Sequence, residues 1–129
     1  MRPIILTVDD AKAVRTLAKQ ALAPFACEAQ EATNGYNALF AMEKALPDLV
    51  LLDVSMPIMG GLELLEMMRA NATLRPIPVL MLTSPADHAA VPKITALGVS
   101  GLLVKPFPPA ALVEKILRIL PLRKHAPEG

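Results

Sequence analysis

Two hydrophobic patterns alternate along the chain. Short, almost uninterrupted apolar runs are typical of strands buried on both faces of a parallel sheet. Between them, apolar residues recur every three or four positions, as on the buried face of a helix. The clearest helical segment, 10–25, carries this spacing at Val14, Leu17, Ala18, Ala21, Leu22 and Phe25. The alternation predicts repeated strand–helix units and therefore an α/β fold with a parallel sheet.

Turn-forming residues set the predicted boundaries. The pattern predicts strands at 3–8, 28–32, 48–53, 79–83 and 102–104, and helices at 10–25, 36–45, 62–70 and 110–120. Between 85 and 97 we expect a loop and then a helix that is short, kinked or late to start, because Pro92 would remove a backbone donor from a helix interior. Residues 1–120 are predicted to form one domain and residues 121–129 a flexible C-terminal tail.

Four of the predicted strands lead into polar residues. Asp9 and Asp10 follow the first strand, Asp53 ends the third, Thr83 ends the fourth and Lys105 follows the fifth. Ligands of parallel α/β sheets bind outside the carboxyl ends of the strands, so these residues are expected to share one site. Burying several carboxylates is costly unless a cation and hydrogen bonds offset the charge. The pattern therefore favours a site for a divalent metal and a phosphoryl group.

Each of these residues has a simpler explanation when it is taken alone. Asp9 and Asp10 could cap the next helix, where carboxylates satisfy unpaired amides. Thr83 could be a turn hydroxyl, and Lys105 a solvated charge in a loop. These explanations are credible singly, but together they do not account for polar residues at four strand ends.

Composition narrows the class of protein. The chain has 129 residues, about one ordinary domain, of which 53% are hydrophobic and 19% charged. A net charge of +1 does not indicate the strongly basic surface that proteins use to bind nucleic acid. No apolar stretch reaches the roughly 18 residues of a membrane span, and the start lacks the apolar core of a signal peptide. The single cysteine, Cys27, excludes an internal disulfide, and we expect a cytoplasmic protein.

The motifs at the strand ends share their order and spacing with one family. They are Val8-Asp9-Asp10, Leu52-Asp53-Val54-Ser55-Met56-Pro57, Gly61, Leu82-Thr83-Ser84 and Val104-Lys105-Pro106-Phe107. Over about 3–120 the chain resembles the receiver domain of bacterial two-component response regulators, in particular stand-alone receivers of the chemotaxis type. The resemblance implies a flavodoxin-like, doubly wound fold with five parallel strands in the order 2-1-3-4-5 and helices on both faces.

The resemblance also implies a signalling switch rather than an enzyme that turns over external substrates. Asp53 would accept a phosphoryl group from a histidine kinase or phosphotransfer protein and form an aspartyl phosphate. Lys105 would pair with Asp53 and then with a phosphoryl oxygen. Thr83 would donate its hydroxyl to another phosphoryl oxygen. Phosphorylation would then change which partner the protein binds.

A cation is implied too, because an anionic phosphoryl group meets three carboxylates. Mg²⁺ prefers carboxylate, carbonyl and water oxygens. By resemblance, Asp10 binds Mg²⁺ directly and Asp9 largely through water. Asp53 and the backbone carbonyl of Ser55 supply the other protein ligands.

Several positions depart from the family pattern. Leu102 stands where an aromatic switch residue is usual, Gly60 replaces a common acidic residue, and Pro85 and Pro92 stiffen a segment that usually moves. A constitutive interaction module with a vestigial phosphorylation site is therefore the alternative function. A phosphohydrolase on a related fold is a third candidate function. It would need a general acid or base beside the nucleophile, but Ser55 occupies the position where such a carboxylate would be useful.

The last predicted helix is more apolar than one buried stripe requires. Its apolar residues are Leu112, Val113, Ile116, Leu117, Ile119 and Leu120. We expect some of them, Ile119 by preference, to stay exposed. With the segment 86–97 and the strand containing Leu102, they would form a docking face within 86–120 for a downstream protein. The same face would also allow two copies of the chain to form a homodimer. The alternative is that the surplus packs under the tail.

Overall fold

Five parallel strands form the centre of the molecule. The computed structural model describes residues 2–125. Its strands are β1 (Ile4–Val8), β2 (Glu28–Ala32), β3 (Leu49–Asp53), β4 (Val79–Thr83) and β5 (Gly101–Val104). The sheet order is β2-β1-β3-β4-β5, and every pairing is parallel. The predicted strand order and doubly wound α/β fold are confirmed.

Helices cover both faces of the sheet and produce two cores. They are α1 (Lys12–Leu22), α2 (Gly35–Lys44), α3 (Gly61–Ala70), α4 (Val91–Leu97) and α5 (Pro109–Ile119). Leu49 and Leu51 of β3 belong to the core shared with α1 and α5, whereas Val50 and Leu52 belong to the core under α2, α3 and α4. Both faces are covered, which explains why every residue of β3 is buried and why its sequence is apolar from Leu49 to Leu52.

The segment after β4 contains two short helices. Pro85–Ala90 forms a 3-10 helix, and α4 follows it directly. Pro92 lies in the first turn of α4, where its missing N–H would have no helical partner in any case. The prediction of a short, late-starting helix is confirmed. None of the helices in residues 2–125 has the length and apolar character needed to cross a membrane.

Helix α1 is shorter at both ends than the predicted 10–25. Asp10 precedes it, because the amide of Ala11 donates to Oδ1 of Asp9 at 2.8 Å and the helix begins after that turn. Pro24 and Phe25 follow its end at Leu22. Phe25 instead pairs with Lys124 in an isolated antiparallel bridge.

The predicted tail is attached to the domain over its first residues. The amide of Ala26 donates to the carbonyl oxygen of Arg123 at 2.7 Å, and that of His125 donates to Pro24 at 3.0 Å. Leu122 packs against the core of α1 and α5. Backbone pairing and an apolar contact thus join residues 122–125 to the domain, and the flexibility of the tail stays a prediction. Residues 126–129 lie outside the described residues.

Candidate functional site

The carboxyl ends of four strands bring the predicted site residues together. Asp53 and Thr83 are the last residues of β3 and β4, Asp9 directly follows β1, and Lys105 directly follows β5. The amide of Lys105 donates to the carbonyl oxygen of Thr83 at 2.6 Å, which fixes the end of β5 beside that of β4. Residues from four separate segments thus line one edge of the sheet.

Lys105 bridges two carboxylates at this edge. Its Nζ donates to Oδ2 of Asp9 at 2.7 Å and to Oδ1 of Asp53 at 3.0 Å. Asp9 is completely buried and Asp53 is 5% exposed. Burial acts to lower the pKa of Lys105, but its hydrogen bonds to Asp9 and Asp53 outweigh that effect and raise the pKa above its ordinary value. The ammonium therefore stays charged and offsets the two buried carboxylates.

Asp53 is the most perturbed acid of the site. Burial is the largest effect and raises the pKa of Asp53 to about 6, with further increases from the charges of Asp9 and Asp10. The hydrogen bond and charge of Lys105 act in the opposite direction. Strongly perturbed carboxylates of this kind are concentrated at functional sites.

Asp9, Asp10 and Asp53 form an acidic cluster. Each offers a carboxylate oxygen, and these oxygens lie within 4.8 Å of one another. Asp9 uses one oxygen to accept from Ala11 and the other to accept from Lys105, whereas Asp10 is exposed. The hard oxygen donors fit Mg²⁺.

Gly61 allows the loop between β3 and α3 to close over Asp53. The amide of Gly61 donates to the carbonyl oxygen of Val54 at 2.8 Å. A Cβ atom on Gly61 would overlap the carbonyl oxygen of Asp53. Close backbone approach, rather than a positive φ, is therefore the reason for glycine at this position.

A fourth carboxylate, Asp87 in the 3-10 helix, borders the site and was not predicted. It accepts hydrogen bonds from the hydroxyl of Ser55 (2.8 Å), the amide of Ser84 (2.8 Å) and the hydroxyl of Ser84 (3.0 Å). Burial acts to raise the pKa of Asp87, but these bonds and the charge of Lys105 hold it below its ordinary value. The available signal was the spacing of Ser84 and Asp87, which is that of a capping box.

The expected docking face needs one correction. Ile119 is not exposed: it is half-buried and packs against the core of α1 and α5. The reason is its spacing from the buried residues Leu112 and Ile116, which puts all three on the inner face of α5. Leu117, 39% exposed, and Val104, 56% exposed, are the large apolar residues that reach the surface there.

Comparison with known proteins identifies one family. Residues 5–117 match the model of the response regulator receiver domain. The chain is 39% identical over 116 residues to chemotaxis protein CheY-3 of Vibrio cholerae, with 89% of each protein covered. It is 36% identical over 116 residues to chemotaxis protein CheY of Pseudomonas aeruginosa, covering 89% of this chain and 94% of that protein.

Solved structures show the same similarity. Chemotaxis response regulator CheY4 of Vibrio cholerae has a TM-score of 0.85 and 32% identity, covering 93% of this chain and 100% of that one. A putative response regulator from Chloroflexus aurantiacus has a TM-score of 0.84 and 31% identity, covering 92% of this chain and 98% of that one.

Receiver domains are signalling phosphoacceptors that interact with histidine kinases and downstream targets and bind Mg²⁺ at an acidic pocket. The acidic cluster of Asp9, Asp10 and Asp53 agrees with such a pocket. The family model covers most of the chain, and the fold and the relatives agree with it. The chain therefore belongs to the response regulator receiver domain family and acts in phosphorylation-controlled signalling of two-component systems.

Proposed function

We propose that Asp53 is the residue that accepts the phosphoryl group. The observation that carries this proposal is the 3.0 Å contact of Lys105 with Asp53 inside the cluster formed with Asp9 and Asp10. Both oxygens of Asp9 are engaged, by Ala11 and by Lys105. Lys105 engages Oδ1 of Asp53, which leaves Oδ2 for the phosphorus atom.

The transfer requires little more of the protein than positioning and charge. An oxygen of Asp53 bonds to phosphorus while the bond from phosphorus to the imidazole nitrogen of a phosphohistidine donor breaks. The electron pair of that bond stays on the imidazole. Lys105 then moves its hydrogen bond from Asp53 to a phosphoryl oxygen, and the hydroxyl of Thr83 donates to another. The protein assists its own phosphorylation and dephosphorylation and turns over no external substrate.

Mg²⁺ would be held at the same edge of the sheet. Asp10 and Asp53 would bind it directly, Asp9 would act through water, and the backbone carbonyl of Ser55 would supply another oxygen. The support is the donor set itself: three carboxylate oxygens close together, one of them on an exposed side chain. Held there, Mg²⁺ would supply positive charge against the developing charge of the phosphoryl oxygens.

The phosphoryl donor is a histidine kinase or a phosphotransfer protein, and the signal passes to a downstream protein that docks on the 86–120 face. β5 is the outer strand of the sheet beyond β4, and Val104 and Leu117 expose apolar surface there. The same surface would serve a homodimer. A cytoplasmic location and the absence of nucleic-acid and membrane partners remain predictions from composition.

Incubation with Mg²⁺ and acetyl phosphate, followed by intact-mass measurement, tests the acceptor. Wild type should gain one phosphoryl group and Asp53→Ala none. Asp48→Ala is the matched control, because Asp48 is an exposed aspartate that accepts from the amide of Ile4 at the opposite end of the sheet. It should gain the group as wild type does. A phosphoryl group on Asp53→Ala would place the acceptor elsewhere.

A further inference from the structure

Three residues form a hydrogen-bonded clasp across the mouth of the site. One carboxylate oxygen of Asp87 accepts from the hydroxyl of Ser55, and the other accepts from the amide and the hydroxyl of Ser84. Ser55 is two residues after Asp53, and Ser84 directly follows Thr83. This Asp87 clasp, made of Ser55, Ser84 and Asp87, therefore ties together the two loops that flank the proposed acceptor.

We propose that the Asp87 clasp holds the 3-10 helix against the loop after β3 while Asp53 is unmodified, and that phosphorylation of Asp53 opens it. The inference rests on the proposed function of Asp53, because the phosphoryl group is the trigger. It assigns to Asp87 a role that neither the acidic cluster nor Lys105 performs: coupling the state of the acceptor to the position of residues 85–90.

The 3-10 helix is weakly held apart from the clasp. None of the residues of Pro85–Ala90 is buried, and of these six residues only Ala90 packs, partly buried, against a core. Its helical hydrogen bonds have the poorer geometry of a 3-10 helix. The bond from Ser55 to Asp87 joins this helix to a loop 32 positions earlier in the chain. Segments with few buried contacts open at low free-energy cost, so one such bond can decide where this helix rests.

A phosphoryl group would act directly on the clasp. It adds a charge of about −1.5 to −2 and several strong acceptor oxygens. That charge repels the carboxylate of Asp87, which accepts three hydrogen bonds at the mouth of the site. The new oxygens also compete for the hydroxyls of Ser55 and Ser84. Repulsion and competition both favour release of Asp87.

The packing of Leu102 makes such a route useful. Leu102 is half-buried and packs against the core under α2, α3 and α4. Leucine has no aromatic ring, so the side chain at this position of β5 cannot follow a movement of Thr83 as an aromatic switch residue would. Release of the 3-10 helix supplies a response on the β4 side of the site that needs no such ring.

Hydrogen exchange of the full chain tests the clasp, with backbone amides of residues 84–90 followed before and after treatment with Mg²⁺ and acetyl phosphate. In wild type, exchange should become about tenfold faster on phosphorylation, the factor for loss of one hydrogen bond to a charged group. Asp87→Ala and Ser55→Ala should exchange fast in both states. Asp87→Asn keeps an acceptor without the charge, so its exchange should increase less on phosphorylation than that of wild type, because only the competition for the hydroxyls remains.

Asp48→Ala is again the control and should respond as wild type does. The clasp is overturned if phosphorylated wild type shows unchanged exchange at 84–90, or if Asp87→Ala behaves as wild type. Intact mass, recorded on the same samples, separates the two proposals. A protein that gains its phosphoryl group without faster exchange loses only the clasp, whereas a protein that gains none loses the acceptor assignment and the clasp together.

Discussion

Asp9 and Lys105, 96 positions apart in the chain, form the tightest ion pair of the site, with Oδ2 and Nζ 2.7 Å apart. The contact of Lys105 with Asp53 is longer, at 3.0 Å. Asp9 is completely buried, so its charge has no water to stabilise it. Lys105 is thus a structural counter-ion for Asp9 as well as the proposed partner of the phosphoryl group.

Replacing Lys105 with alanine should lower the free energy of unfolding by about 2 kcal/mol, because it leaves two buried carboxylates without their cation. Phosphorylation of Asp53 should remain possible, while the conformational response weakens. Urea unfolding measures the first effect, and intact mass combined with amide chemical shifts near Thr83 measures the second. Lys93→Ala is the control: its pair with Glu66 is exposed and should contribute under about 1 kcal/mol. Equal losses in the two variants would contradict the role of Lys105.

Mg²⁺ affinity should depend more on Asp10 than on Asp9. Asp10 is exposed and proposed as a direct ligand, whereas Asp9 is engaged by Ala11 and Lys105. Asp9→Asn should weaken binding by about tenfold, as expected for a contact through water, and Asp10→Asn should weaken it further. Calorimetric titration checks this, with Asp48→Asn as a variant of unchanged affinity. Wild-type affinity in both site variants would remove the metal-site assignment.

The raised pKa of Asp53 predicts a pH-dependent effect of Asp53→Asn in metal-free protein. Burial, the main cause, puts the folded-state pKa at about 6, above the ordinary 3.8. The folded state then binds the proton more tightly than the unfolded state, so ionised Asp53 costs stability above about pH 6, and the cost fades as the pH falls. The stability gained by Asp53→Asn should be greater at about pH 8 than at about pH 5 by roughly 1 kcal/mol.

Paired urea unfolding curves at the two pH values measure this difference. The carboxyl carbon shift of Asp53, followed by NMR, gives the titration directly. A difference between variant and wild type that does not change with pH would contradict the raised pKa.

The site was largely predictable from the sequence, because parallel-sheet geometry determines where strand ends meet. Asp53 and Thr83 close buried apolar strands, and that position alone puts them at one edge. Pro92 likewise indicated that the helix starts late, since proline is tolerated in the first turn of a helix. Local pattern was sufficient wherever a residue's role follows from its place in an element.

The missed features depend on contacts between elements. Asp87 had the spacing of a cap, but its bond to Ser55 comes from folding two loops together. The ion pair of Lys105 with Asp9 likewise required three-dimensional distances. Ile119 looked like surplus apolar surface, and only the rotation of α5 on the sheet shows that it faces the core. Sequence periodicity gives a buried stripe but leaves its edges undetermined.

The two apolar residues near the end of α5 should differ in how much stability they lose when they are replaced with glutamate. Ile119→Glu puts a charge against the core of α1 and α5 and should lower the free energy of unfolding by about 2 kcal/mol. Leu117→Glu alters a side chain that is 39% exposed and should cost under about 1 kcal/mol. Thermal and urea unfolding of the two variants and wild type provide the comparison.

Comparison of Leu117→Glu with Ile119→Glu shows which variants are suitable for testing the 86–120 face. A variant that folds as wild type does and still gains its phosphoryl group can lose partner binding only through the altered surface. Leu117→Glu should meet both conditions, and Val104→Glu provides a second exposed position on the same face. Ile119→Glu should fail the first condition, because it lowers the free energy of unfolding, and a loss of binding in that variant would not identify the altered surface. If Leu117→Glu unfolds as readily as Ile119→Glu, the outer side of α5 is part of the core and the docking face does not include it.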